Sequence, residues 1–277
     1  MTDSVGRYYI YNGELRDSTN TEMSVPTEDR AVYEVIRLID GVPLFLEDHY
    51  ERMRNSMVNL GYGINFGFGV LAGQIKKIAE ANGNLNCNIK VMLTFTEAGR
   101  QILLYVSKSY YPPEEIIKKG VKVGLLQLER ENPNIKLMNH TYREAADKKI
   151  REGDYFEVLL QSNDGNITEG SKSNVFFVKG KRICTAPGTH VLKGITRKYV
   201  IEACKMAGYE VIETFTQTGS LSEIDGLFLS GTSIKVLPVA SVEGICFISA
   251  NSSVIQAIKN KYDEIIKKYV DENVKIW

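Results

Sequence analysis

The chain has 277 residues, and at roughly 100–200 residues per domain it holds one large domain or two modest ones, enough to bury a core without disulfide staples. Hydrophobic residues make up 43% and charged residues 25%, which excludes a fibrous or disordered chain. Lysine and arginine number 34, as do aspartate and glutamate, so no global field draws the chain to nucleic acid or an anionic membrane, and the expected ligand is small.

Residues 8–11, the pair Asn12-Gly13 and then Glu14-Leu15 predict a hairpin. Residues 31–39 alternate, with Val32, Glu34, Ile36 and Leu38 on one face and Tyr33, Val35 and Arg37 on the other, before Asp40-Gly41 turns the chain into residues 42–46. From Asp48 the period becomes helical through Tyr50, Met53, Met57 and Leu60, and Gly61 can end the run. Leu71, Ile75 and Ile78 predict a second helix, and residues 89–95 and 102–106 predict two strands around a turn at 97–100. Tyr110-Tyr111-Pro112-Pro113 breaks the pattern. The expected organisation is a small α+β domain over 1–111, a linker at 112–120 and a larger domain over 121–277. In the latter the pattern predicts strand 121–128, helix 137–152, strands 155–161 and 173–185, helix 195–207, strand 209–215, strands near 226–229 and 236–248, and helix 253–271.

No apolar run approaches the ~18 residues of a membrane span, and residues 1–16 carry Asp3, Arg7 and Glu14 where a signal peptide needs an unbroken apolar stretch; a cytoplasmic location is expected. Cys87, Cys184, Cys204 and Cys246 form no C-x-x-C pair and are expected to be reduced, in or near the core. His49, His140 and His190 lack metal-ligand spacing, so no metal is expected.

Three kinds of segment can carry chemistry. Lys136 stands between apolar residues in Asn134-Ile135-Lys136-Leu137-Met138-Asn139, at the expected start of a helix. An ammonium drawn into an apolar pocket loses basicity and frees an amine to attack a carbonyl, although spacing alone favours a partly exposed lysine at a helix start. Glu169 lies in a run of small polar residues, Thr168 to Asn174, that is either a ligand-holding loop or a solvated one. Gly194-Ile195-Thr196-Arg197 opens a helix whose free N–H groups suit a phosphate or an ordinary cap, and Ser230-Gly231-Thr232-Ser233 is a similar strand-end loop. No G-x-G-x-x-G or P-loop pattern is present.

In this order the segments resemble the fold type IV pyridoxal phosphate enzymes: branched-chain aminotransferases, D-amino acid aminotransferases and aminodeoxychorismate lyases. The matching stretches are Val32-Tyr33-Glu34-Val35-Ile36, His49-Tyr50-Glu51-Arg52, Ile135 to Asn139, Thr168 to Phe176, Leu192 to Arg197, and Ser230 to Ser233 with Pro238-Val239. The resemblance implies two α+β domains with pyridoxal 5'-phosphate in the cleft between them, the larger domain binding the cofactor, and a homodimer. It implies that Lys136 holds the cofactor covalently and shuttles a proton, and that Glu169 faces the pyridine nitrogen. Arg52, Gly194, Ile195, Thr196 and Thr232 would hold the phosphate; Leu192 would pack on the ring; Ser173 and Asn174 would flank Glu169. Tyr33, Arg100 and Ser233 would meet substrate, with Arg100 reaching the partner subunit's pocket. Ile102 stands where the histidine paired with that arginine in D-amino acid aminotransferases would be. The implied reaction is transfer of an amino group between an amino acid, of branched-chain or D-amino acid type, and a 2-oxo acid; aminodeoxychorismate lyase and a non-catalytic cofactor-binding protein are the alternatives.

Overall fold

The computed structural model describes residues 3–20, 23, 31–63, 66–96 and 99–277. The chain divides into two compact units, one of Met1–Tyr110, Ile135–Asn139 and Ile266–Trp277, the other of Tyr111–Asn134 and His140–Ile265. Together they give the α+β architecture implied by the sequence, with two sheets and six α-helices among the described residues.

The first unit contains β1 (Ser4–Tyr11), β2 (Glu14–Asp17), β3 (Val32–Ile39), β4 (Val42–Pro43), α1 (Leu46–Asn59), α2 (Phe68–Ala81), β5 (Asn88–Thr96) and β6 (Gly99–Ser107). Its strands form an antiparallel sheet in the order β2-β1-β6-β5-β3-β4. Asn12-Gly13 and Asp40-Gly41 all take positive φ, the geometry of the two-residue turns expected there. Residues 97 and 98 of the expected 97–100 turn lie outside the described residues, while Thr96 pairs with Gly99 in the ladder. Helix α1 buries Leu46, His49, Met53 and Met57 at helical spacing and carries Glu47 and Asp48 in its first turn, where the dipole favours negative charge. Leu46, Met53 and Met57 pack with Leu71 and Ile75 of α2 on Val32, Ile36, Val91 and Leu104 of the sheet. Fully burying a side chain of this size contributes about 1.5–3 kcal/mol. The opposite face gathers Tyr9, Ala31, Tyr33, Met92, Leu103 and Tyr105.

The second unit contains α3 (Glu114–Lys119), β7 (Val121–Gln127), α4 (His140–Gly153), β8 (Glu157–Gln161), β9 (Asn166–Gly170), β10 (Asn174–Lys179), β11 (Arg182–Thr185), α5 (Ile195–Met206), β12 (Glu210–Glu213), β13 (Thr216–Gln217), β14 (Gly226–Gly231), β15 (Lys235–Val242) and β16 (Ile245–Cys246). It also contains the start of α6 (Ser253–Asn273), whose residues from Ile266 cluster with the first unit. The strands run β12-β11-β10-β14-β15-β7-β8-β9-β13, with β16 on β15, over a core that includes Val123, Leu159, Val175, Phe177, Leu229 and Leu237.

Several local expectations change. Residues 114–119, within the expected linker, form a helix of the second unit. The strand expected over 173–185 is a hairpin, β10 and β11, turning at Gly180 with φ +60°. Glu169 lies on a strand, β9, because residues 166–170 gain ladder partners in β8 and β13 despite their small polar composition. Helix α4 starts at His140, so Lys136 is not at a helix start: the Tyr33 N–H donates to the Lys136 carbonyl at 3.0 Å and Met138 N–H to the Ala31 carbonyl at 2.9 Å, holding 136–138 extended beside β3. Cys87 and Cys204 are buried and Cys184 half-buried, all free, but Cys246 is exposed on β16.

Candidate active site

The expected site residues lie in both units: Tyr33, Arg52, Arg100 and Lys136 in the first, and Glu169, Ser173, Asn174, Leu192, Gly194, Ile195, Thr196, Thr232 and Ser233 in the second. In the first, the alternation of β3 sends Tyr33 to one face of the sheet and Glu34 to the other. Lys136 Nζ lies 4.7 Å from the centroid of the Tyr33 ring, which is itself buried. On the other face Glu34 is buried among the apolar residues of β3 and meets α1. His49 and Arg52 stand three residues apart on that helix and so project from the same side. Arg52 Nε donates to Glu34 Oε1 at 2.8 Å and Nη2 donates to Oε2; His49 Nδ1 lies 2.7 Å from Oε2. Burial pushes the Glu34 carboxyl up, but the Arg52 charge and the hydrogen bonds from His49 and Arg52 outweigh it and hold the group at about 2. Burial pushes the His49 imidazole down, so at neutral pH the ring is uncharged and its Nδ1 proton is donated to Glu34.

In the second unit Glu169 is 3% exposed. Arg130 Nη1 donates to its Oε1 at 3.3 Å and the Leu192 N–H donates to its Oε2 at 3.1 Å. The Arg130 guanidinium also covers the Tyr142 ring at 5.3 Å, and the Tyr142 hydroxyl donates to the Ser171 carbonyl. Asn174 Nδ2 donates to the Leu192 carbonyl at 2.9 Å and ties β10 to the turn before α5. A Cβ at Gly194 would lie 2.3 Å from Asn174 Oδ1, so this turn needs glycine. Ile195 and Thr196 follow in the first turn of α5, where N–H groups lack intrahelical acceptors. The Thr196 hydroxyl shares a hydrogen bond with Tyr262 of α6. Asn174 pairs with Ser230 in the β10–β14 ladder, which brings Thr232 and Ser233, in the turn after β14, to the same strand end. Ser230 Oγ there is buried without a hydrogen-bond partner.

Two of the expected residues have further contacts. Ser173 directs its hydroxyl to Glu157, with Oγ donating to Oε2 at 2.8 Å. Arg100 pairs with Phe95 across β5 and β6, on the helix-covered side of the sheet with Ile102. It lines a cavity of about 260 Å³ with Met57, Phe66, Phe95 and Ile102, on the face opposite Tyr33.

These residue types suit pyridoxal phosphate: a buried carboxylate met by a guanidinium and a backbone N–H for the ring nitrogen, a helix N-terminus with a hydroxyl for the phosphate, an orphaned buried serine hydroxyl at the same strand end, and a lysine against an aromatic face. The profile of the amino-transferase class IV family matches residues 31–242. The chain belongs to the class IV aminotransferase family. This is a family of pyridoxal-phosphate enzymes. The chain is 29% identical over 252 residues to the D-alanine aminotransferase of Bacillus licheniformis, spanning 85% of this chain and 88% of the relative. It is 25% identical to the aminodeoxychorismate lyase of Bacillus subtilis over 87% of each chain. Its fold matches that of the Escherichia coli branched-chain amino acid aminotransferase with a TM-score of 0.85, at 22% identity and covering 94% of this chain and 95% of the other.

Reasoning from sequence did not single out Glu34, Arg130 or Glu157, which bond Arg52, Glu169 and Ser173, or His49, which bonds Glu34. Glu34 had a visible signal: a carboxylate in the inward row Val32, Ile36, Leu38 requires a buried partner. Arg130 and Glu157 had none, because the partners they meet in the folded chain lie 39 and 14–16 residues away.

Proposed function

We propose that the chain is an aminotransferase acting on amino acids of D-alanine or branched-chain type and their 2-oxo acids, with Lys136 and Arg52 of the first unit and Glu169 and the start of α5 of the second as its pyridoxal phosphate ligands. The observation that carries the reading is the buried carboxylate of Glu169, gripped by Arg130 and the Leu192 N–H, since a transaminase needs a fixed negative charge at the ring nitrogen. Pyridoxal phosphate, when bound, supplies a sink for the electron pair left on the substrate α-carbon. Lys136 Nζ would hold the cofactor and would take the proton from the substrate α-carbon. Glu169 keeps the ring nitrogen protonated. Arg52, the N–H groups of Ile195 and Thr196, and the Thr196 and Thr232 hydroxyls anchor the phosphate; Leu192 packs on the ring, with Ser173, Asn174 and Gly194 shaping the loops around it. Tyr33 and Ser233 line the substrate side, and Arg100 serves the partner subunit's pocket in a cytoplasmic homodimer.

The decisive test supplies purified holoenzyme with a panel of L- and D-amino acids and measures conversion of bound pyridoxal phosphate to pyridoxamine phosphate by absorbance. Conversion by D-alanine, or by leucine, isoleucine and valine, supports the reading and selects the substrate class. Pyruvate released from aminodeoxychorismate with no 2-oxo acid present, and no conversion by any amino acid, would establish the lyase reading instead, which the 25% identity to a lyase favours as the second.

A further inference from the structure

We propose that Glu34 and His49 are positioning residues for the cofactor phosphate: together they lock the Arg52 guanidinium in the orientation in which it receives that group. The inference rests on the reading of Arg52 as a phosphate ligand given above.

Glu34 occupies a position on β3 whose neighbours in the same row, Val32, Ile36 and Leu38, are fully buried and apolar. A carboxylate there is costly unless its hydrogen bonds are complete, and the three it accepts all come from one stretch of α1. Arg52 binds side-on through Nε and Nη2, a two-point grip that fixes the plane of the guanidinium and not merely its distance. His49 donates to the same Oε2 that takes Arg52 Nη2, so the carboxylate is held from a second direction and cannot turn with the arginine. His49 is 3% exposed and Glu34 1%, and neither is placed to meet a ligand from solvent.

Charge and orientation make opposite forecasts for this cluster. Glu34 offsets the positive charge of Arg52, so if charge alone governed the site, neutralising Glu34 would strengthen anion binding. If orientation governs it, the same change weakens binding, because the guanidinium must then be ordered when the phosphate arrives.

The experiment measures dissociation constants of the apoenzyme for pyridoxal phosphate and for pyridoxal, which lacks the phosphate, in Glu34→Gln, His49→Gln, Arg52→Ala and the Glu34→Gln/Arg52→Ala pair. Losing the charge-assisted grip should weaken pyridoxal phosphate roughly 10- to 100-fold in Glu34→Gln, and less in His49→Gln, with pyridoxal unchanged. On the Arg52→Ala background Glu34→Gln should cost nothing further. Unchanged or tighter pyridoxal phosphate binding in Glu34→Gln overturns the proposal, as does an equal loss for pyridoxal, which marks a general structural defect. An Arg52→Ala enzyme with the wild-type ratio of the two constants removes Arg52 from the phosphate site, and the proposal falls with that reading. If Glu34→Gln does not fold, Glu34→Asp keeps the charge but withdraws it by one methylene, and the same selective loss of pyridoxal phosphate is expected.

Discussion

Replacing Arg130 with Met keeps much of the side-chain volume and removes the charge opposite Glu169. At 3.3 Å and an effective dielectric constant of about 20 the two charges attract by about 332/(20 × 3.3), or about 5 kcal/mol. The arginine side chain is 18% exposed and the glutamate 4%, so solvent takes up part of that and the loss expected on unfolding in urea at pH 7 is about 2–4 kcal/mol. The cation–π contact with Tyr142 adds less than about 1 kcal/mol. Most of the cost is the stranded Glu169 charge, so Glu169→Gln should partly rescue Arg130→Met, and a double-mutant cycle on the apoprotein should show coupling of about 1–3 kcal/mol. A single-variant loss below about 0.5 kcal/mol, or losses that simply add, would refute the claim that this pair stabilises the fold.

Lys136→Ala should leave the fold intact but abolish covalent retention of pyridoxal phosphate after borohydride reduction; mass spectrometry finding the cofactor on another lysine would contradict the assignment. Because the Glu34 carboxyl is held at about 2, below its ordinary 4.5, its contribution to stability is present above pH 4.5 and is lost as the pH falls toward 2, by up to about 3 kcal/mol; Glu34→Gln should flatten that part of the acid-unfolding profile. Glu157 runs the other way: burial pushes its carboxyl up, against the Lys172 N–H and the Ser173 and Ser171 hydroxyls that bond it, so its contribution is complete below 4.5 and fades as the pH rises through the folded value. Glu157→Gln should remove that slope at little cost in a urea melt, whereas Glu157→Leu strands three donors at about 1–3 kcal/mol each; equal losses would show that the hydrogen bonds do not matter. Gly194→Ala forces a Cβ toward Asn174 Oδ1 and should destabilise by about 1–3 kcal/mol while weakening pyridoxal phosphate binding, with Asn174→Ala restoring part of both.

What the sequence made legible and what it hid follow from the range of the interactions. Hairpins at Asn12-Gly13 and Asp40-Gly41 and the helix through Met53 and Met57 rest on local backbone preference and on a period, both visible within ten residues. β9 escaped because its residues have weak strand preference and are extended only by neighbours far along the chain, β8 on one side and β13 on the other. The setting of Lys136 escaped likewise: its apolar flanks suggested a helix start, yet the segment is captured by β3, more than one hundred residues earlier. The residues matched by resemblance were legible because each lies in a short ordered motif, whereas the groups that orient them carry no motif at all. One of those groups still left a trace. Glu34 breaks an otherwise apolar row, and since a buried carboxylate must be answered by donors, the nearest helix with two donors on one face, His49 and Arg52 on α1, follows from the sequence once that rule is applied to the strand. Glu157 left no such trace: it stands at the end of the run Glu-Val-Leu-Leu-Gln, where a carboxylate reads as solvated, and its donors in Ser171-Lys172-Ser173 meet it only in the folded chain. A charge inside an apolar row, as at Glu34, thus points to the supporting structure of a site even where no motif does.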